Sequence, residues 1–219
     1  MERDRQIKIV SVLALVLGVL GLSLGFTAFS NILIISSNAT VKPESSSFSV
    51  DLYSGTSTSN TDYTVIGKSS VEGVNGTATI SKDRKVITGV TADFNAPGQS
   101  VVYEFYAHNT GEYVAYLRSI IFTVVEGHDY PKVCTLTSDK GSLNLVEAAC
   151  KDISLEVSVG DITVDNSITG ISHHPIEKDG YVKVSVKLTY IAGGTKVNGP
   201  FKVEFGDVHL EYSSQDLQK

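Results

Sequence analysis

The chain has 219 residues, 42% hydrophobic and 19% charged, with a formal net charge of −6. An acidic balance of this kind leaves no electrostatic footprint for nucleic acid, so no nucleic-acid partner is expected. Nineteen glycines, no tryptophan and long Ser/Thr/Val stretches argue against a helical bundle or coiled coil. The β-branched and aromatic content argues equally against intrinsic disorder. A single β-rich domain behind an apolar leader remains.

The leader occupies residues 1–30. Arg3, Arg5 and Lys8 face only Glu2 and Asp4, and no further charge appears until Lys42. Residues 9–29 are apolar apart from Ser, Thr and Gly, and predict an N-terminal apolar helix. Two readings stay open. A secretory signal has a positive start, an apolar core of about 7–15 residues and a small-x-small exit, here Ala28-Phe29-Ser30. A membrane anchor needs about 20 apolar residues to cross roughly 30 Å, and this run meets that length. Uncleaved, the segment would make the membrane a partner. Either reading places the rest of the chain outside the cytoplasm, at the cell surface or beyond. Without residues 1–30 there remain 15 basic and 22 acidic side chains, a net of −7. A chain of that size buries roughly 70% of its unfolded surface in one core.

Residues 31–47 form a distinct N-terminal arm. Ile32-Leu33-Ile34-Ile35 is an apolar, strand-forming patch followed by Ser36-Ser37-Asn38-Ala39-Thr40. Burying four aliphatic side chains is worth several kcal/mol, on the order of 1.5–3 kcal/mol each, so the patch needs a partner. It either tucks into its own domain or adds to the sheet edge of a neighbouring subunit as a donor strand.

Residues 48–219 read as an all-β domain of eight to ten strands, an antiparallel two-sheet sandwich. Residues 48–53 form an early strand, and the Ser/Thr/Asn-rich residues 54–64 a mobile loop. Asn75-Gly76 and Lys82-Asp83-Arg84 predict turns that divide residues 71–93 into short hairpins. Residues 100–108 and 113–125 are strands joined by Asn109-Thr110-Gly111, and only residues 142–150 have a helical flavour. Ile153, Leu155, Val157 and Val159 alternate, as do Val182, Val184, Val186, Leu188 and Tyr190 after the turn Asp179-Gly180. Phe201, Val203 and Phe205 alternate, slip phase at Gly206, and resume as Val208, Leu210 and Tyr212, the signature of a bulge.

Cys134 and Cys150 enclose 15 residues. Export favours a disulfide, worth about 3 kcal/mol over such a loop, against the alternative of two buried thiols. No His-Glu-x-x-His, Gly-x-Ser-x-Gly or phosphate-loop pattern occurs, so no enzyme activity and no cofactor are expected. His108 and Glu112 stand four apart across a turn. His173 and His174 precede Pro175 in a loop, and in an extended strand adjacent side chains point to opposite faces, so surface histidines rather than metal ligands are expected. Asp161, Asp165 and Asn166 are candidate calcium oxygens, but their spacing fits no EF-hand.

Several of these segments occur in a familiar order: Ala28-Phe29-Ser30-Asn31, Phe48-Ser49-Val50-Asp51-Leu52, Ala96-Pro97-Gly98-Gln99-Ser100, Asn109-Thr110-Gly111-Glu112, Tyr113-Val114-Ala115-Tyr116-Leu117 and a closing pair of alternating strands. In that order residues 26–212 resemble the TasA/camelysin family of surface and matrix proteins. The resemblance implies a cleavable leader, a jelly-roll-like sandwich and export to the cell surface. For several members it also implies fibres built by inserting the mature N-terminal strand into the next subunit, and some members are described as metallopeptidases. The region 133–165 has no counterpart in the family. The expected function is thus a structural fibre subunit, a homo-oligomeric filament with Ile32, Leu33, Ile34 and Ile35 at the subunit interface. The alternative is a membrane-anchored immunoglobulin-like binding module.

Overall fold

The computed structural model describes residues 48–69, 71–137, 142–171 and 173–216. These belong to one compact unit, Glu44–Lys219. In chain order the elements are β1 (Val50–Tyr53), β2 (Thr64–Ile66), β3 (Asn75–Ile80), β4 (Val86–Phe94), β5 (Ser100–Asn109), β6 (Ala115–Phe122), β7 (Lys132–Leu136), α1 (Leu143–Lys151), β8 (Ile153–Val159), β9 (Ile162–Val164), β10 (His173–Ile176), β11 (Tyr181–Tyr190), β12 (Phe201–Phe205) and β13 (Val208–Ser213). The leader and the arm, including Ile32, Leu33, Ile34 and Ile35, lie outside the described residues.

Two antiparallel sheets make an all-β sandwich. The first runs β1-β5-β11-β8-β9; the second runs β10-β6-β13-β4-β12-β7, with β3 against β4 and β2 outside β3. Period-2 alternation sets which side chains go inward. From β5, Val101, Tyr103, Phe105 and Ala107 are fully buried, and from β11 so are Val184, Val186, Leu188 and Tyr190. Phe94, Tyr190 and Phe201 meet between the sheets, with ring centroids 5.5–6.5 Å apart. The lysines between the buried β11 positions stay on the outer face; Lys183 pairs with Glu104, which also takes Lys68. The two ammonium groups hold the Glu104 carboxyl below its ordinary range.

The phase slip at Gly206 is real. β12 and β13 are two halves of one strand; β4 pairs with both, while β7 pairs with β12 and β6 with β13. A Cβ on Gly206 would lie 2.1 Å from the Thr123 carbonyl oxygen, so only glycine lets the chain kink there.

Elsewhere the structure departs from the sequence reading. Asn75-Gly76 is no turn but the start of β3, because Gly76 makes room for Tyr103. A Cβ there would sit 2.1 Å from the Tyr103 hydroxyl, which donates to the Thr91 carbonyl at 2.5 Å. β2, β7, β9 and β10 add to the predicted strands. The polar loop between β1 and β2 is held by Arg84, whose guanidinium stands 4.3 Å and 4.7 Å from the ring centres of Tyr53 and Tyr63. The same group donates to the carbonyls of Leu52 at 3.1 Å and Asn60 at 3.0 Å.

Asn109-Thr110-Gly111 has a physical reason. The buried Asn109 amide donates to the carbonyls of Tyr113 at 2.7 Å and Ile176 at 2.8 Å, and its oxygen accepts the Gly111 N–H at 3.0 Å. A Cβ on Gly111 would come within 2.6 Å of the Ser49 nitrogen, so glycine lets the segment that enters β1 cross here.

Cys134 of β7 and Cys150 of α1 form the disulfide, with a Cα–Cα distance of 5.9 Å. It fastens the helix, which buries Val146 and Ala149, to an edge strand. Replacing both cysteines with serine is expected to lower unfolding free energy by about 3 kcal/mol in urea titration at 25 °C. An unchanged midpoint would mean that packing alone holds α1 on β7.

Candidate functional site

The feature best placed to recognise something is the seam where the two sheets end together. On its inner side β8 is fully paired with β11, from Val184↔Val159 to Tyr190↔Ile153. On its outer side β9 pairs only Val157–Val159. Among the described residues no strand pairs with the outer edge of residues 153–156. Unpaired strand edges are templates for further pairing.

Beyond β9 the chain crosses to the other sheet. Ser167 Oγ accepts the Phe122 N–H at 2.8 Å, and Ile168 exchanges two backbone hydrogen bonds with Ile120, both 2.9 Å. Between this crossover and β7 opens a groove of about 410 Å³. Its apolar walls are Phe122, Pro131, Ile153, Leu155 and Phe205, and Asp165, Asn166 and Ser167 form its polar rim. Lys132 also lines it, its ammonium donating to the Ile153 carbonyl. Burial lowers the Lys132 pKa, with Asp152 acting in the opposite direction. A lysine set on an open edge is a common guard against indiscriminate strand addition.

The remaining candidates fall as follows. His108 and Glu112 do not meet: Glu112 pairs with Lys178 at 2.6 Å, while His108 is buried between Tyr53 and Tyr181, each ring centre 5.1 Å away. Asp165 accepts from Asn166 at 3.0 Å but does not join Asp161, so the calcium grouping is not assembled. Asp161 instead meets both histidines. His173 Nε2 lies 3.2 Å from Asp161 Oδ1, and His174 Nε2 contacts the same oxygen. The expectation that adjacent histidines diverge fails because His174 adopts φ +48°, at a register shift between β10 and β6. Strict alternation ends where the backbone turns left-handed. The His174 contact, with smaller contributions from the charges of both histidines, lowers the Asp161 pKa. No sequence pattern flags this trio, since thirteen positions separate Asp161 from His174.

Comparison with protein-family models, curated proteins and solved structures finds no match. The TasA/camelysin resemblance therefore rests on the motifs that carry it. Among the described residues, no helix is long and apolar enough to cross a membrane.

Burial lowers the His108 pKa from its ordinary 6.5, only partly offset by a hydrogen bond to the Gly55 backbone. Its Nε2 has no hydrogen-bond partner. A depressed folded-state pKa gives stability that is present above the unfolded value and is lost as pH falls through the folded value. The thermal midpoint should therefore fall between about pH 7 and about pH 5. His108→Gln should flatten that fall; an equal fall in the variant assigns the acid sensitivity to other groups.

Proposed function

We propose that this chain is an exported structural subunit of a cell-surface or biofilm-matrix fibre. Its sandwich is arranged in jelly-roll-like fashion behind an N-terminal apolar helix. Subunits join by donor-strand exchange: Ile32, Leu33, Ile34 and Ile35 of one copy add to the outer edge of residues 153–156 in the next.

The observation that carries this reading is the unpaired half of β8 beside an apolar groove. Four residues of strand span about 13 Å, the length of the open edge. Alternation sends two of the four aliphatic side chains into the groove and two onto the opposite face. The incoming strand displaces the Lys132 ammonium from the Ile153 carbonyl and supplies a backbone partner there.

The sheet order sets β1 and the open edge of β8 apart in the first sheet. The arm joins the domain at β1, one edge of the first sheet, and the open part of β8 lies beyond β5 and β11. Three strand spacings, about 14 Å, separate β1 from β8. An element that leaves at one edge and is received at the other makes a head-to-tail contact, and such contacts propagate into filaments when the rotation does not close.

Deleting residues 31–41 is expected to abolish polymer in sedimentation and negative-stain electron microscopy while leaving a folded monomer by circular dichroism. Normal fibres from the truncated chain refute the reading. Monodisperse particles from the untruncated chain at every concentration would instead shift weight to a monomeric surface module held by the leader.

A further inference from the structure

We propose that Asp161, His173 and His174 bind a divalent transition-metal ion, zinc(II) foremost, and that the ion ties the two sheets together at one end of the sandwich. The site does not depend on the fibre reading.

One ligand atom from each residue lies within 4.8 Å of the other two. In a tetrahedral zinc site, metal–ligand bonds of about 2.0–2.1 Å place ligand atoms roughly 3.3 Å apart. His173 Nε2 and Asp161 Oδ1, at 3.2 Å, already have that spacing.

The backbone is arranged to bring the rings together. His174 holds φ +48°, a region few side chains enter without cost, and this puts its ring beside that of His173, with centroids 4.6 Å apart. Gly160, at φ +59°, clears the space: a Cβ there would lie 2.3 Å from His174 Cε1. His174 Nε2 also accepts the Asp161 N–H at 3.0 Å. Metal binding takes over that lone pair and returns the exposed amide to water.

Donor chemistry selects the ion. Two imidazole nitrogens and one carboxylate suit zinc, copper or nickel, whereas calcium and magnesium prefer oxygen donors. Three protein ligands leave a coordination position open to water or to a donor from another molecule. Asp161 sits in the turn between β8 and β9 of the first sheet, and His173 and His174 open β10 of the second. A bound ion thus links two sheet ends that the disulfide does not reach.

The test is isothermal titration of the full chain, stripped with EDTA, with zinc chloride and separately with calcium chloride. Asp161→Asn, His173→Asn and His174→Asn are measured alongside, with the exposed His128→Asn as control. Asparagine tolerates a left-handed backbone, so His174→Asn keeps the local fold. Circular dichroism checks each variant; Asp161 and His173 are exposed enough to be replaced without touching the core. The expected result is saturable one-to-one zinc binding, no comparable calcium binding, and a thermal midpoint that rises with zinc. Loss of any one ligand should weaken binding by more than the roughly 10–100-fold that an outer-shell partner costs, and the control should bind as wild type. Absence of saturable zinc binding, a preference for calcium, or ligand variants that bind as wild type overturns the proposal. The trio is then a hydrogen-bonded His–Asp cluster and nothing more.

Discussion

β11 is the strand on which the rest of the fold depends. It is paired on one side with β5, from Tyr181↔His108 to Thr189↔Ser100, and on the other with β8. Its inward side chains Val184, Val186, Leu188 and Tyr190 occupy the middle of the core. Every backbone group on both sides of such a strand can be satisfied within the sheet, which removes the cost of burying it. The question of where hydrogen bonding stops is pushed outward, to β1 on one flank and to β8 with its short companion β9 on the other.

The two flanks end differently. At β1 the chain is tied down by the Thr110 and Gly111 N–H groups, which both donate to the Ser49 carbonyl, and by Lys85, whose ammonium donates to the Val50 carbonyl at 2.8 Å. At β8 the companion strand covers only three residues before crossing to the opposite sheet, and a groove is left behind it. The disulfide and α1 brace β7 beside that groove, so its walls are held on one side by covalent linkage and on the other by the crossover at Ile168. Among the described residues, the edge of residues 153–156 is left open between these braced walls.

Much of the fold is legible in the sequence because long strands buried on one face must alternate. β5, β11, β12 and β13 announce themselves this way, and so does the slip at Gly206. The short strands do not. β2, β7, β9 and β10 are three to five residues long, and apart from Val65 and Ile176 none of their side chains is buried. Asn75-Gly76 is misread because its glycine answers to a tyrosine on a distant strand rather than to a local turn. The cysteine pair is legible as a candidate disulfide from its spacing; the edge strand it braces is not. The groove depends on which half of β8 goes unpaired, and the histidine trio depends on one left-handed residue. Both are tertiary facts with no local pattern to betray them.

Cross-linking reports most directly on the proposed acceptor edge. Subunits carrying Ile34→Cys and subunits carrying Ser167→Cys, mixed and assembled, place one thiol on the incoming strand and the other on the rim of the groove. The expected result is a covalent dimer between the two kinds of subunit under mild oxidation, formed in polymer and absent from either variant alone. Intact polymer without that dimer contradicts strand addition at β8.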